Sequence, residues 1–259
     1  VWLDADHFAL LDRFRKSIFV YKINENHPPY TTSLTDTVVL PTGSHSLVSK
    51  AGAGHLLSER IFYAAIEGSS ADKDNVNPQL GKFLFDSMTG TLTQVGSYLE
   101  FVTTSGVDDN MHHFGFAKEG TLIGVPLGIS GKVFIVDTGN PGDSLALWNG
   151  GTNEYNAGHG AGHFDFSELQ NKGIVTNHKD NFATVISLNS GTSENVYFPT
   201  TGVIGTDFIQ SHRNWVLPGG LYYIFFEAVD GIFYKINLID NTLNPMSTVT
   251  GGTPVQSTS

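Results

Sequence analysis

Four short apolar stretches recur along the chain, and their first residues are fifty positions apart. They are "KFLFD" from Lys82, "KVFIVD" from Lys132, "FATVIS" from Phe182 and "IFYKIN" from Ile232. A related stretch, "SIFVYKIN", begins at Ser17, and the polar insertion "SSADKDNVNPQL" accounts for most of its larger separation from the second copy. A strict period of this length is typical of proteins built from repeated supersecondary units.

Each repeat contains more than its apolar stretch. The β-rich run "GTLIGVPLG" precedes "KVFIVD", for example, and the turn-forming "TGNPGDSL" follows it before another strand begins. Turns between β-branched or aromatic runs indicate hairpins. Each repeat is therefore expected to form about four antiparallel strands. Four-stranded units of roughly 40–50 residues, arranged in a ring, make a β-propeller.

The repeat predicts an all-β protein, a β-propeller of about five four-stranded blades, of which the first is incomplete. The first repeat starts at its second strand, "HFALLDR". We expect residues 1–250 to form a single propeller domain or a propeller segment, and residues 251–259 a polar C-terminal tail. A five-bladed ring closed by that tail is the alternative to a larger propeller. A solenoid or a two-sheet sandwich with accidental periodicity is the competing interpretation.

Charge and composition narrow the possible partners. With 14 basic and 25 acidic residues the formal charge is −11, which disfavours nucleic acid and anionic membrane surfaces. No apolar run approaches the ~20 residues of a membrane helix. The absence of cysteine excludes disulfides, thiolate metal sites and cysteine nucleophiles. Few charges, many small polar residues and a first residue other than methionine favour an exported protein, periplasmic or extracellular.

Histidines recur at a fixed distance before the repeated stretches. His113 lies 19 residues before Lys132, His163 lies 19 before Phe182, and His212 lies 20 before the last stretch. That place is the start of the first strand of each blade, which in a propeller lines the central channel. The register therefore predicts a ring of imidazoles around one channel mouth.

Further candidate ligands lie close to this register. His45 joins it once an insertion of about the right length is removed from its repeat, and His112 and His159 lie near the register positions in sequence. Asp165 and Asp109 could serve as carboxylate ligands or orient the rings by hydrogen bonds. Three or four converging imidazoles suffice to bind zinc or copper without cysteine. The candidate metal ligands are His45, His112, His113, His159, His163 and His212.

The leading hypothesis is a protein that binds a divalent transition metal, zinc foremost and copper second, as a carrier or metal-stabilised scaffold. A repeated histidine can instead be structural, bonded to backbone or to a neighbouring side chain. In that case the propeller would present its inter-blade loops to a protein or a glycan. A third possibility is a lactonase- or lyase-like enzyme that uses one histidine with Glu67 or Glu227 as acid and base.

The repeat style resembles that of exported β-propellers of the YncE and surface-layer type. The stretches "HFALLDRFRKSIFVYKI" and "MHHFGFAKEGTLIGVPLG" are most similar to blades of the periplasmic zinc metallochaperone propellers. That resemblance implies zinc binding by axial histidines.

Overall fold

The computed structural model describes most of the chain. It covers residues 1–24, 30–49, 60–68, 76–103, 109–111, 113–177, 179–198, 215–216, 220, 222–226 and 233–245. For residues 45, 215–216, 222–226 and 233 only the backbone is described.

The strands pair antiparallel into five sheets that follow one another along the chain, and each sheet is one blade. The first blade contains β1 (His7–Asp12), β2 (Ser17–Ile23) and β3 (Thr32–Val39). The second contains β4 (Ser44–Ser49), β5 (Ile61–Ile66), β6 (Gln79–Asp86), β7 (Thr91–Gln94) and β8 (Leu99–Glu100). The third contains β9 (Gly115–Ala117), β10 (Leu122–Leu127), β11 (Lys132–Asp137), β12 (Ala146–Leu147) and β13 (Glu154–Asn156). The fourth contains β14 (Ala161–Ser167), β15 (Lys172–Asn177), β16 (Phe182–Ser187) and β17 (Thr192–Tyr197). The fifth contains β18 (Trp215–Val216), β19 (Tyr222–Phe226), β20 (Phe233–Asn237) and β21 (Leu243–Pro245).

This architecture is the β-propeller that the repeat predicts. The four stretches spaced fifty residues apart are β6, β11, β16 and β20, and each is the third strand of its blade. In the second and third blades the fourth strand is interrupted, so that two short strands pair with different parts of the third. The repeat in the sequence is therefore a repeat of whole blades.

The first blade is incomplete, as the sequence predicts. Its three paired strands occupy the second, third and fourth positions of a blade. Residues 1–3 begin to fill the innermost position, since Trp2 bridges Phe8 and the Ala9 N–H donates to the Val1 carbonyl at 2.8 Å. The rest of that position has no strand among the described residues.

The hydrophobic core is divided among the seams between successive blades. Strand β5 shows why, because all six of its residues are buried and alternate residues point to opposite faces of the sheet. Phe62 and Ile66 pack into the seam with the first blade, whereas Ile61 and Tyr63 pack into the seam with the third. The seams between the third and fourth and between the fourth and fifth blades are filled in the same way. A blade is thus stabilised mainly by its neighbours.

Lys82 on β6 links the second blade to the third by polar contacts. Its side chain is buried, and its Nζ donates to the carbonyl oxygens of Thr138, Asn140 and Asp143 at 2.7, 2.6 and 2.9 Å. A buried ammonium group is costly unless its donors are satisfied, and three carbonyls satisfy them. The segment after β11 is thereby held against the neighbouring blade.

Replacing Lys82 with methionine should destabilise the protein. The substitution keeps the apolar stem but removes three charge-assisted hydrogen bonds, at an expected loss of about 2–4 kcal/mol in the free energy of unfolding. Thermal unfolding followed by circular dichroism should show a clear decrease in Tm. The control is Lys132→Met, because Lys132 is partly exposed and pairs with Glu154 at 2.7 Å, and exposed pairs contribute only about 0–1 kcal/mol. Equal effects of the two substitutions would contradict this role of Lys82.

Candidate functional site

Phe164 determines how the innermost strands of the third and fourth blades approach each other. The ring is buried in the seam, and three glycines surround it. A β-carbon at Gly124 or Gly173 would overlap the ring, and one at Gly115 would overlap the Phe164 carbonyl. Only residues without a side chain allow this approach. As a result β14 lies directly against β9 and β10.

The same approach brings two of the predicted histidines together. His163 is the third residue of β14, and His113 lies two residues before β9. Their imidazole rings stack with centroids 4.3 Å apart and an angle of 19° between the planes. Both side chains are partly exposed, and His163 lies on the opposite face of its strand from the buried Phe164. Two of the histidines that share the register of the repeat are thus in contact in the structure.

Asp165 lies on the same face of β14 as His163, two residues further along the strand. Its side chain keeps some contact with solvent, but the surrounding protein desolvates the carboxylate. This burial raises the pKa of Asp165 from its ordinary value of 3.8 to about 7. The innermost strands of the third and fourth blades therefore bring together two imidazoles and a carboxyl group with a pKa near neutral.

Three more of the predicted histidines are described only in part or not at all. His112 and His212 lie outside the described residues. The backbone of His45 lies at a register shift in β4, between Ser44 and Ser46. Ser46 pairs with the next-to-last residue of β5, as His163 pairs with the next-to-last residue of β15. The structural equivalent of His163 in the second blade is thus Ser46, one residue after the predicted His45.

The other predicted ligands have different surroundings. His159 is exposed in the segment before β14, and its backbone N–H donates to Asp180 Oδ2 at 2.6 Å. Asp109 is buried, and its carboxylate accepts hydrogen bonds from Thr103 Oγ1 at 2.8 Å and from the Ile129 N–H at 3.0 Å. It shapes the turn after β10. Among the described residues, no group of three or more His, Asp or Glu side chains is arranged to hold a metal ion.

Glu67, the acid of the enzymatic alternative, forms an ion pair between the first two blades. Its Oε2 lies 2.9 Å from the Arg13 guanidinium, and the residue is buried. The partner acid, Glu227, lies outside the described residues. Of the acids considered, Asp165 is therefore the one that the structure places beside the imidazoles.

A pocket of about 370 Å³ opens between the third and fourth blades, and it is lined in part by Gly162, the residue before His163. Its walls are Asn110, the turn at Gly128 and Ile129, the segment from His159 to Gly162, and Lys179. Sequence spacing gives no sign of this pocket, because its residues come from four separate segments. The glycines of "HGAGH" were a visible sign of a curved backbone, but not of the space beside it.

The fold is shared with known propellers, although sequence comparison finds no relative. No protein-family model and no curated protein sequence matches the chain. A periplasmic gluconolactonase from Pseudomonas aeruginosa has a TM-score of 0.63 at 13% identity, over 94% of this chain and 67% of that one. A protein from Lactobacillus plantarum has a TM-score of 0.62 at 16% identity, over 93% and 67%. The Dos1 propeller has a TM-score of 0.62 at 13% identity, over 95% and 59%.

These similarities show the fold alone, because the sequence identities are only 13–16%. The chain spans about two thirds of the length of the first two structures and 59% of the third. None of the described residues forms a helix with the length and apolar character needed to cross a membrane. The protein is a β-propeller in which a histidine of the third blade contacts a histidine of the fourth.

Replacing Gly124 with alanine should disturb the seam that holds the histidine pair. The added methyl group would overlap the Phe164 ring, and overpacking of this kind costs about 1–3 kcal/mol. Chemical denaturation should therefore show a lower free energy of unfolding. Gly142→Ala is the matched control, because a β-carbon there meets nothing within 4 Å. A Gly124→Ala protein as stable as this control would contradict the packing described.

The raised pKa of Asp165 predicts a pH-dependent stability. Between about pH 4 and 7 the folded protein binds this proton more tightly than the unfolded chain, so stability falls as pH rises through that window. Asp165→Asn removes the effect. The free energy of unfolding of the variant, minus that of the parent protein, should be larger at pH 8 than at pH 5. The expected increase is on the order of 2 kcal/mol. The exposed Asp6→Asn change controls for the lost charge. A stability difference for Asp165→Asn that does not change with pH would refute the desolvation.

Proposed function

We propose that the channel mouth binds a divalent transition metal, zinc foremost and copper second, with His113 and His163 as two of the ligands. The observation that carries the proposal is the contact between these rings, whose centroids are 4.3 Å apart although they come from different blades. Two charged imidazoles at this distance would repel each other. Neutral imidazole is a ligand that zinc and copper prefer, and metal binding here requires the two stacked rings to turn until one nitrogen of each faces the same ion.

The remaining coordination positions are part of the proposal. Zinc in proteins has four ligands, with nitrogen at about 2.0–2.1 Å. His45, His112 and His212 remain candidates for the other ligands, and water can complete the set. A site with only two or three protein ligands leaves a position open for exchange, which suits a carrier better than a structural zinc. A cation at the pair would also favour the ionised form of the Asp165 carboxylate.

An exported location, periplasmic or extracellular, belongs to the same proposal. The resemblance of two blades to the periplasmic zinc metallochaperone propellers supports both the metal and the location. The absence of cysteine agrees with a metal site made only of imidazole and carboxylate groups. A protein partner would contact the inter-blade loops at the channel mouth, where a carried metal would be transferred.

A second candidate function is enzymatic, at the same position. The observation that favours it is the desolvated carboxyl group of Asp165, which lies two residues from His163 on the same face of β14. An acid and a base close together can transfer protons to and from a bound substrate. The structural similarity to a periplasmic gluconolactonase makes lactones a reasonable first class of substrate to assay. In this case activity would persist after treatment with a chelator and would require Asp165.

Zinc titration tests the proposal. Protein purified without a histidine tag should contain zinc by elemental analysis, and calorimetry should show binding at pH 7.5. The affinity should fall by at least tenfold at pH 5.5, because imidazole must be neutral to bind a metal and ordinarily titrates near pH 6.5. His113→Gln and His163→Gln should each weaken binding by about tenfold or more.

His7→Gln is the control for these variants, because His7 lies outside the register of repeated histidines and its Nδ1 pairs with the Asp4 carboxylate at 2.9 Å. It should bind zinc like the parent protein. Equal affinity at both pH values, or equal losses in all three variants, would contradict a metal at the imidazole pair. A different outcome is a parent protein without metal and a double variant of His113 and His163 with reduced stability. The histidines are then structural, and the result favours a propeller that binds partners through its loops.

A further inference from the structure

The inter-blade pocket has features that the proposed metal site does not use. It lies at the seam of the third and fourth blades, at the end of the propeller where β10 and β15 finish and β14 begins. Its volume of about 370 Å³ is within the range of small-molecule sites. Ala161 and Gly162, which line it, directly precede His163.

The walls of the pocket are fixed by hydrogen bonds within the protein. The Gly128 N–H donates to the Asn110 carbonyl at 2.9 Å, and the Gly160 N–H donates to the Gly128 carbonyl at 2.7 Å. The Asp109 carboxylate accepts from the N–H groups of Ile129 and Ser130. Three of the four segments that bound the pocket are therefore tied to one another. A preformed cavity of this kind requires little ordering when a ligand binds.

The charges around the pocket favour an anion. Lys179 and His159 line it, and none of the described lining residues carries a carboxylate. This is unusual for a chain with a formal charge of −11. Two carboxylates lie behind the walls, and both are hydrogen-bonded to backbone: Asp180 accepts the His159 N–H at 2.6 Å, and Asp109 accepts the Ile129 N–H at 3.0 Å. An ammonium group and an imidazole next to a carboxamide can bind a carboxylate.

The other surfaces of the pocket are apolar or consist of backbone. Ile129 and Ala161 contribute side chains, and the glycines contribute bare main chain. A compact molecule with one charged end and an apolar body matches these surfaces.

We propose that this inter-blade pocket binds a small monocarboxylic acid, with Lys179 and His159 at its carboxylate and Ile129 and Ala161 against its apolar body. The pocket is independent of the metal at the imidazole pair. A bound acid would nevertheless contact Gly162, the residue before His163 in β14.

Benzoate and benzamide provide a matched pair of probes, because they have the same shape and differ in charge. Binding is measured by calorimetry at pH 7.5, with the neutral chelator 1,10-phenanthroline present so that no carboxylate binds through a metal. Benzoate should bind at least fivefold more tightly than benzamide. Lys179→Met should weaken benzoate binding by about threefold to tenfold, and Lys179→Glu should abolish it.

Lys118→Glu is the control, because Lys118 lies in the turn between β9 and β10, at the far end of the blade from the pocket. It changes the net charge by the same amount and should leave benzoate binding unaltered. The Lys179 side chain is exposed, so its variants should fold normally. The proposal is overturned if benzoate does not bind, if benzamide binds equally well, or if Lys118→Glu and Lys179→Glu weaken binding equally. Benzoate binding should be the same in the His113 and His163 variants, whether or not those variants lose zinc binding.

Discussion

The packing of each blade against the next is the interaction on which the rest of the structure depends. A single four-stranded sheet cannot bury both of its faces, and in strand β5 both faces are buried. Alternate side chains of one strand therefore belong to two different hydrophobic clusters, one in each seam. The hydrogen bonds of Lys82 add a polar link across one of these seams. Stability is thus shared by neighbours rather than concentrated in one core.

The same seams determine which side chains meet at the channel. Phe164 packs so closely against glycine backbones that the innermost strands of the third and fourth blades come into direct contact. His113 and His163 are adjacent for this reason, and Asp165 is desolvated in the same place. The chemistry of the channel mouth therefore depends on apolar packing a few ångströms away. A small change in the seam would alter the distance between the two imidazoles.

Much of the fold could be predicted from the sequence, because a blade is a local unit whose period is visible in its apolar stretches. The third strands and the incomplete first blade follow from that period alone. The shared register of His113 and His163 follows from it as well. The position of His45 does not follow from the period. A register shift in β4 makes Ser46 the equivalent of His163, and sequence spacing does not show such shifts.

Other features of the site could not be predicted from spacing. The pKa of Asp165 depends on how much protein surrounds its carboxylate, and the sequence carries no direct measure of that burial. Asp109 looked like a ligand but is used to hold the turn after β10. The pocket at Lys179 joins four segments that are distant in sequence. Each of these depends on contacts between blades, whereas the repeat describes what happens within a blade.

Anomalous diffraction at the zinc absorption edge, from crystals grown with zinc at pH 7.5, tests the central claim most directly. The account predicts a single strong zinc peak at the channel mouth, with a ring nitrogen of His113 and one of His163 each about 2.0–2.1 Å from it. The contradictory result is a channel mouth without zinc while the two rings remain stacked, or a structure in which the two rings lie apart.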